Sequence, residues 1–182
     1  MTDLRIRFEQ EALPHLDAAY NLARWLSRSA AEAEDVVQEA FLLAFRNFSG
    51  QRGPNTKAWL LTIVRNAFLS GARRGSASRR LTDPLDVAEG PAVPAALVSP
   101  DDPERAAMGV ERAHAVDVVL GRLSAEFREV LVLRELEGLS YEEIAQVAGI
   151  PIGTVMSRLA RARAAFRAEW QRATGGTDDA VP

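Results

Sequence analysis

The stretch from Gly138 to Ala168, GLSYEEIAQVAGIPIGTVMSRLARARAAFRA, leaves the chain little freedom in how it folds locally. Ser140 followed by Glu143 is a capping box, in which each side chain satisfies an amide left free at the helix start. Ile144, Ala145 and Ala148 supply a short apolar face, and Gly149 ends the helix where a left-handed backbone is cheapest. Pro151 suits the first turn of the next helix, because its missing N–H would have no partner there. In that second helix Val155, Leu159, Ala162 and Phe166 recur at intervals of four, three and four, which marks one buried stripe. At 100° per residue the spacing predicts Thr154, Ser157, Arg158, Arg161 and Ala165 on the opposite face. From Ile152 to Arg172 there are five arginines and one acid, Glu169. The pattern predicts a helix-turn-helix whose second helix enters the major groove and reaches bases and phosphates. An ordinary solvated basic helix is the competing description. It does not explain cap, glycine turn, proline and basic face falling in one register.

Charge along the rest of the chain is segregated. The net charge of −3 over 182 residues hides a block from Ser49 to Thr82 with seven basic residues and no acid. A block from Asp83 to Glu111 follows, with seven acids and a single arginine, Arg105. Such asymmetry is a statement about partners rather than about fold. The chain is 47% hydrophobic and 26% charged, as soluble globular proteins are. It has no cysteine, which excludes disulfides and thiolate metal sites. No apolar run approaches the roughly 18 residues of a membrane span, and the opening MTDLRIRFEQEALPHL has no signal core. The expectation is a cytoplasmic protein with no membrane insertion.

Residues 10–75 carry helical periodicity throughout. One stripe is Leu13, Leu16, Ala19, Tyr20, Ala23 and Leu26; a second is Val36, Val37, Ala40, Phe41, Ala44, Phe45 and Phe48. A third is Trp59, Leu60, Ile63, Val64, Ala67 and Phe68, and the breaker cluster Ser49–Thr56, SGQRGPNT, separates it from the second. Residues 76–103 hold five of the nine prolines and no apolar period, the composition of a flexible linker. Helical signal returns from about Glu104, with Val110, Ala113, Val116 and Leu120, then Val130, Leu131, Leu133 and Leu136. The expected fold class is all-α: two small helical domains, 1–75 and 104–173, joined by a flexible linker at 76–103, with a tail at 174–182. The second domain contains the helix-turn-helix.

In the front domain, spacings of three and four put Asp35, Gln38 and Glu39 on one face of the helix AEDVVQEAFLLAFRNF. Taken alone, a solvated helix face explains them. Three segments in order, EDVVQEAFLLAFRNF, AWLLTIVRNAFLSGARR and LSYEEIAQVAGIPIGTVMSRLARAR, closely resemble bacterial RNA polymerase sigma factors of the extracytoplasmic-function (ECF) group. The resemblance implies a two-domain factor that recruits core RNA polymerase to promoter DNA and opens it. It implies that Asp35, Gln38 and Glu39 dock on the clamp coiled coil of the polymerase β′ subunit. It also implies that the third helix and its leading loop handle the minus-ten strand, with Arg65, Asn66, Arg73 and Arg74 at the matching polar positions. Asn66 offers a donor and an acceptor to a base edge, and the arginines neutralise phosphates.

Trp59 and Phe68 are read as core, and they are the only aromatics between Ser49 and Thr82. Primary sigma factors carry an aromatic-rich melting segment there, so this departure suits ECF members, which resemble capture of one flipped base in a loop pocket. Unstacking a base costs about a few kcal/mol, which bound contacts must offset. The loop Ser49–Thr56 is the candidate wall of that pocket. For the minus-thirty-five element the candidates are Thr154, Ser157, Arg158, Arg161 and Arg163. Arg158 is expected to read bases, with Arg161 and Arg163 as phosphate anchors. An anti-sigma factor is a further partner that the resemblance implies.

Catalytic machinery is missing from the sequence. His15 and His114 lie in different domains with no second ligand at metal spacing, and there is no phosphate loop, HExxH or nucleophile elbow. No cofactor is expected, and the chain is not read as an enzyme. Two alternatives remain: a free-standing helix-turn-helix regulator, and a sigma mimic that sequesters an anti-sigma factor. The first leaves the Asp35/Gln38/Glu39 face and the basic block unexplained, and the second predicts eroded basic positions that are in fact present.

Overall fold

The computed structural model describes residues 2–27, 29–50, 55–78 and 103–173, with the side chains of 73–78 and 103–111 left outside that description. Eight α-helices and no strand are found among the described residues. The expected linker falls almost entirely in 79–102, outside them, as does the tail 174–182.

Helical structure begins earlier than the periodicity over residues 10–75 predicts. Helix α1, Thr2–Glu11, is mostly polar and is held by i,i+4 pairs, Arg5–Glu9 at 2.8 Å and Arg7–Glu11 at 3.3 Å. Its one deep anchor is Phe8, which meets Phe41, Phe45 and Phe48 edge-on at 6.2, 5.2 and 5.2 Å between ring centres. The stripe expected from Leu13 is broken: Leu13–His15 form a 3-10 turn around Pro14, and Leu13 and Leu16 are exposed. Helix α2, Leu16–Ser27, instead buries Ala18, Ala19, Leu22 and Ala23. Helix α3, Ala30–Asn47, starts where the Ser29 hydroxyl accepts the Glu32 amide, and turns Val36, Val37, Ala40 and Ala44 inward. Helix α4, Thr56–Ser78, buries Ala58, Leu60, Leu61, Val64 and Ala67. Small alanines on α2 and α3 let these helices approach closely, so three helices and the α1 strap share one core.

In the second domain, α5 (Pro103–Arg122) leads into α6 (Ala125–Leu131), which is capped by Ser124 and runs on into a π-turn at Val132–Leu136. Leu136, part of the apolar periodicity of this segment, is exposed because the π-turn shifts its register, while Val132 and Leu133 are buried. The helix-turn-helix is α7 (Tyr141–Ala148) and α8 (Ile152–Ala173). Gly138 and Gly149 take φ of +68° and +65°, the left-handed backbone that ends the element before each.

The two domains are not separate. A single apolar cluster runs from Phe8 and Leu22 through Leu61 and Val64 to Leu133, Ile144 and Leu159. Arg128 helps join them: buried, it donates to the carbonyls of Leu120 (3.0 Å) and Leu123 (3.0 Å), ending α5, and to the carbonyl of Trp25 in α2 (2.9 Å). Replacing Arg128 with methionine keeps the aliphatic volume and strands those carbonyls. An unsatisfied buried acceptor costs about 1–3 kcal/mol, so urea unfolding is expected to show a loss of at least about 2 kcal/mol. A loss below about 0.5 kcal/mol would mean that the carbonyls find other donors.

Candidate nucleic-acid interface

On α3, Asp35 and Gln38 are exposed and Glu39 is half-buried on the same side, as their spacing predicts. That face continues one and two turns on with Leu42 and Phe45, both exposed. Phe45 belongs to the apolar stripe that periodicity predicts on this helix. It packs its edge on Phe8, yet 42% of it stays accessible. Glu39 also lines an open groove of about 230 Å³ between α3 and α4, with Leu43, Asn47, Ile63, Asn66, Ala67 and Ser70. Glu39 and Asn66, assigned to different partners in the sequence, therefore share one groove.

Arg65, next to Asn66, points elsewhere. One residue along a helix rotates 100°, and this turns Arg65 toward the second domain, where its Nε lies 2.5 Å from Glu129 Oε1. Burial pushes the Glu129 carboxyl up from its ordinary value, while the hydrogen bond and charge of Arg65 pull it back down. Two turns earlier on α4, Lys57 Nζ meets Glu137 Oε2 at 2.9 Å and donates to the Glu137 carbonyl at 2.8 Å. Asn55 accepts the Ala58 amide at 3.1 Å, capping α4, and donates to Glu143. Lys57, Leu61 and Arg65 thus form an i, i+4, i+8 row under the second domain. Periodicity alone missed this row, because Leu61 lies off the stripe that faces α2 and α3. The pairing of Arg65 and Asn66 at one site is not what this arrangement shows. Arg73 and Arg74 continue α4, but their side chains lie outside the described residues.

The helix-turn-helix forms as its sequence predicts. Ser140 Oγ accepts the Glu143 amide at 3.2 Å, and Glu143 Oε2 accepts the Ser140 amide at 2.7 Å. Val155, Leu159 and Ala162 of α8 are buried. Arg158 corrects the predicted face: 70° of rotation from the stripe, its side chain is 15% exposed and lies 3.3 Å from Glu126. Arg163 flanks the other side, bound to Glu135 at 2.7 Å. Thr154 is half-buried. Gly153, Met156, Ser157, Ala160, Arg161 and Ala164 face outward, with Met156 55% exposed. The Ser157 hydroxyl donates to the Thr154 carbonyl (3.1 Å), and Arg161 Nε donates to the Ser157 carbonyl (3.3 Å).

A capped helix-turn-helix behind a four-helix domain with a carboxylate face defines a class, and two family descriptions match it. Sigma-70 region 2 matches residues 13–78, and Sigma-70 region 4 matches residues 113–166. The chain belongs to the RNA polymerase sigma factors of the ECF group, and directs transcription initiation with core RNA polymerase and promoter DNA as partners. It is 35% identical, over 84% of its length, to the ECF RNA polymerase sigma factor SigE of Mycolicibacterium smegmatis; the match spans 57% of that relative. Identity is also 35% to the ECF RNA polymerase sigma-E factor of Haemophilus influenzae, over 78% of this chain and 75% of that one. Among solved structures, the sigma factor RpoE in complex with the anti-sigma factor NepR from Bartonella quintana superposes with a TM-score of 0.72 at 32% identity. That superposition covers 94% of this chain and 99% of that chain. Sigma factors as a class are not enzymes. Among the described residues no helix is long and apolar enough to cross a membrane.

The capping box makes the helix-turn-helix sensitive to acid. The Ser140 amide, more than Asn55, the Ser140 hydroxyl or Lys57, holds the Glu143 carboxyl below its ordinary value. A lowered folded pKa contributes stability that is present above the unfolded pKa and is lost as pH falls through the folded one. Ser140→Ala is expected to cost about 1 kcal/mol in thermal or urea unfolding at neutral pH. Glu143→Gln is expected to flatten the acid limb of the stability profile. An unchanged acid limb in Glu143→Gln would remove Glu143 from that role.

Proposed function

We propose that this sigma factor docks on the β′ clamp of core polymerase through Asp35, Gln38 and Glu39, and reads promoters with α4 and α8. The front domain, 1–75, takes the minus-ten element and the back domain, 104–173, the minus-thirty-five element. What carries this reading is the outward face of α8. It follows directly on the capped turn, presents small side chains and Arg161, and holds no acid from Ile152 to Ala168. On α3, Leu42 and Phe45 extend the carboxylate face with an apolar edge, which suits a protein partner more than water. On α4, Asn66 beside its groove is the candidate for a base edge, with Arg65, Arg73 and Arg74 on phosphates. The chain works in the cytoplasm and leaves catalysis to the polymerase. The structural neighbour RpoE is bound to an anti-sigma factor, and a partner of that kind is proposed for this chain as well.

Rotation around α8 divides the labour there. Ser157 and Arg161, at the centre of the outward face, are assigned to bases; Thr154 lies at its edge. Arg158 and Arg163, at the two flanks and each paired with a glutamate, are assigned to phosphates. This reverses the order expected from sequence position, where Arg158 led.

Two measurements test these assignments. Asp35→Lys with Glu39→Lys is expected to abolish association with core polymerase in a pull-down, with helical content unchanged. Asp35 is exposed, where substitutions alter stability by about 0.5 kcal/mol or less; the helical content checks the half-buried Glu39, and full run-off transcription by the double variant would overturn the α3 assignment. For α8, a binding-site selection is expected to show relaxed preference at one or two positions in Arg161→Ala, since a bidentate arginine–guanine contact discriminates by about 1–3 kcal/mol. Arg158→Ala and Arg163→Ala are expected to weaken all sequences evenly and lower the salt slope by about one each. An unchanged selected sequence in Arg161→Ala would remove it from base readout.

A further inference from the structure

Where the first turns of α8 face outward, they carry no charge. Ile152, Gly153, Met156, Ser157 and Ala160 are all exposed, and none is ionisable. A helix face that meets only water carries charged or polar side chains. This one carries Ile152 at 42% and Met156 at 55% exposed. Four residues apart, these two apolar side chains are neighbours on one edge of the helix. At Gly153 an added Cβ would meet no atom within 4 Å, so nothing inside the chain calls for glycine there. Glycine weakens a helix relative to alanine, and close approach of a ligand to the backbone is one of the uses that offset this.

Rotation around α8 sorts the same residues into a floor and two rims. At about 100° per residue, Gly153, Ser157, Ala160 and Ala164 fall within a strip about 60° wide. Met156 lies about 40° beyond one edge of that strip and Arg161 about 40° beyond the other. The small floor lets the helix settle against base edges, and two long side chains straddle it. Arg161 brings donors to its rim. Met156 has no donor and only a weak acceptor in its sulfur, so it cannot replace water on a polar base edge. The major groove offers one apolar group, the C5 methyl of thymine.

We propose that Met156 is a specificity-determining residue that reads the C5 methyl of a thymine in the minus-thirty-five element, from the rim of α8 across the small-residue strip from Arg161. This rests on the assignment of α8 to that element. Promoter DNA is the occupant because the apolar rim is continuous with the face that carries Arg161, and the first residues of a recognition helix are those that meet base edges. Five residues separate Met156 from Arg161, a rise of about 7.5 Å. At 3.4 Å per base pair this places the thymine within about three base pairs of the position that Arg161 reads.

Binding-site selection with the holoenzyme supplies a duplex that carries its preferred minus-thirty-five element. Each thymine of that element, on either strand, is then replaced singly by deoxyuridine, which lacks only the C5 methyl, and holoenzyme affinity is measured. At one thymine the replacement is expected to weaken binding about fourfold, which is about 0.8 kcal/mol for one buried methyl at 1.4 kcal/mol per tenfold. Met156→Ala is expected to bind the thymine and uridine duplexes equally. Met156→Leu, which keeps an apolar side chain of similar size, is expected to retain the difference. Met156 is exposed, so neither change threatens the fold. The proposal is overturned if no uridine replacement weakens the unsubstituted holoenzyme, or if Met156→Ala keeps the same fourfold loss. Failure of the α8 assignment shows separately: Arg161→Ala then leaves the selected sequence unchanged while Arg158→Ala and Arg163→Ala leave the affinity unchanged, and that result overturns both.

Discussion

Two carboxylates withdrawn from water, Glu129 and Glu137, set the relation between the halves of this protein. A buried charge is tolerable only when paired and hydrogen-bonded, and each here finds a cation on α4. Such pairs contribute little net stability compared with apolar residues of equal volume, but removing one partner costs about 3–5 kcal/mol. The seam therefore specifies an arrangement more than it strengthens one. Displace the second domain by one helical turn and both acids lose their cations. Arg128 works in the same direction, since its donors reach carbonyls of α2 and α5 together.

Local rules explain the parts of this chain that sequence alone makes legible. The capping box at Ser140, the left-handed Gly149 and the α8 stripe involve residues within a few positions of one another, and all three form as the spacing predicts. Helix α1 escapes the same rules because it has no apolar stripe; i,i+4 pairs and one phenylalanine hold it. Leu61 escapes them for a different reason. It is apolar off the expected stripe because α4 packs on two sides, and only the second domain explains the extra side. The partners Lys57–Glu137 and Arg65–Glu129 are 80 and 64 residues apart in the chain. No periodicity carries information over that distance.

The recognition helix shows how finely a face must be resolved before roles follow. Arg158 and Arg161 are three residues apart, close enough to be grouped by eye as one basic face. A rotation of 60° separates them, and that is enough for Arg158 to lie against Glu126 while Arg161 faces out. An exposed methionine beside Ser157, which charge-based reasoning passes over, belongs to the same outward face. An apolar group on such a face suits contact with a thymine methyl.

Salt acts differently on the seam and on the proposed promoter contacts. DNA affinity falls steeply with ionic strength because each neutralised phosphate releases condensed counterions. The seam has no such atmosphere to release, and buried pairs are screened far less than exposed ones. Raising salt therefore weakens the proposed phosphate contacts of α4 and α8 while leaving the Lys57–Glu137 and Arg65–Glu129 pairs nearly intact.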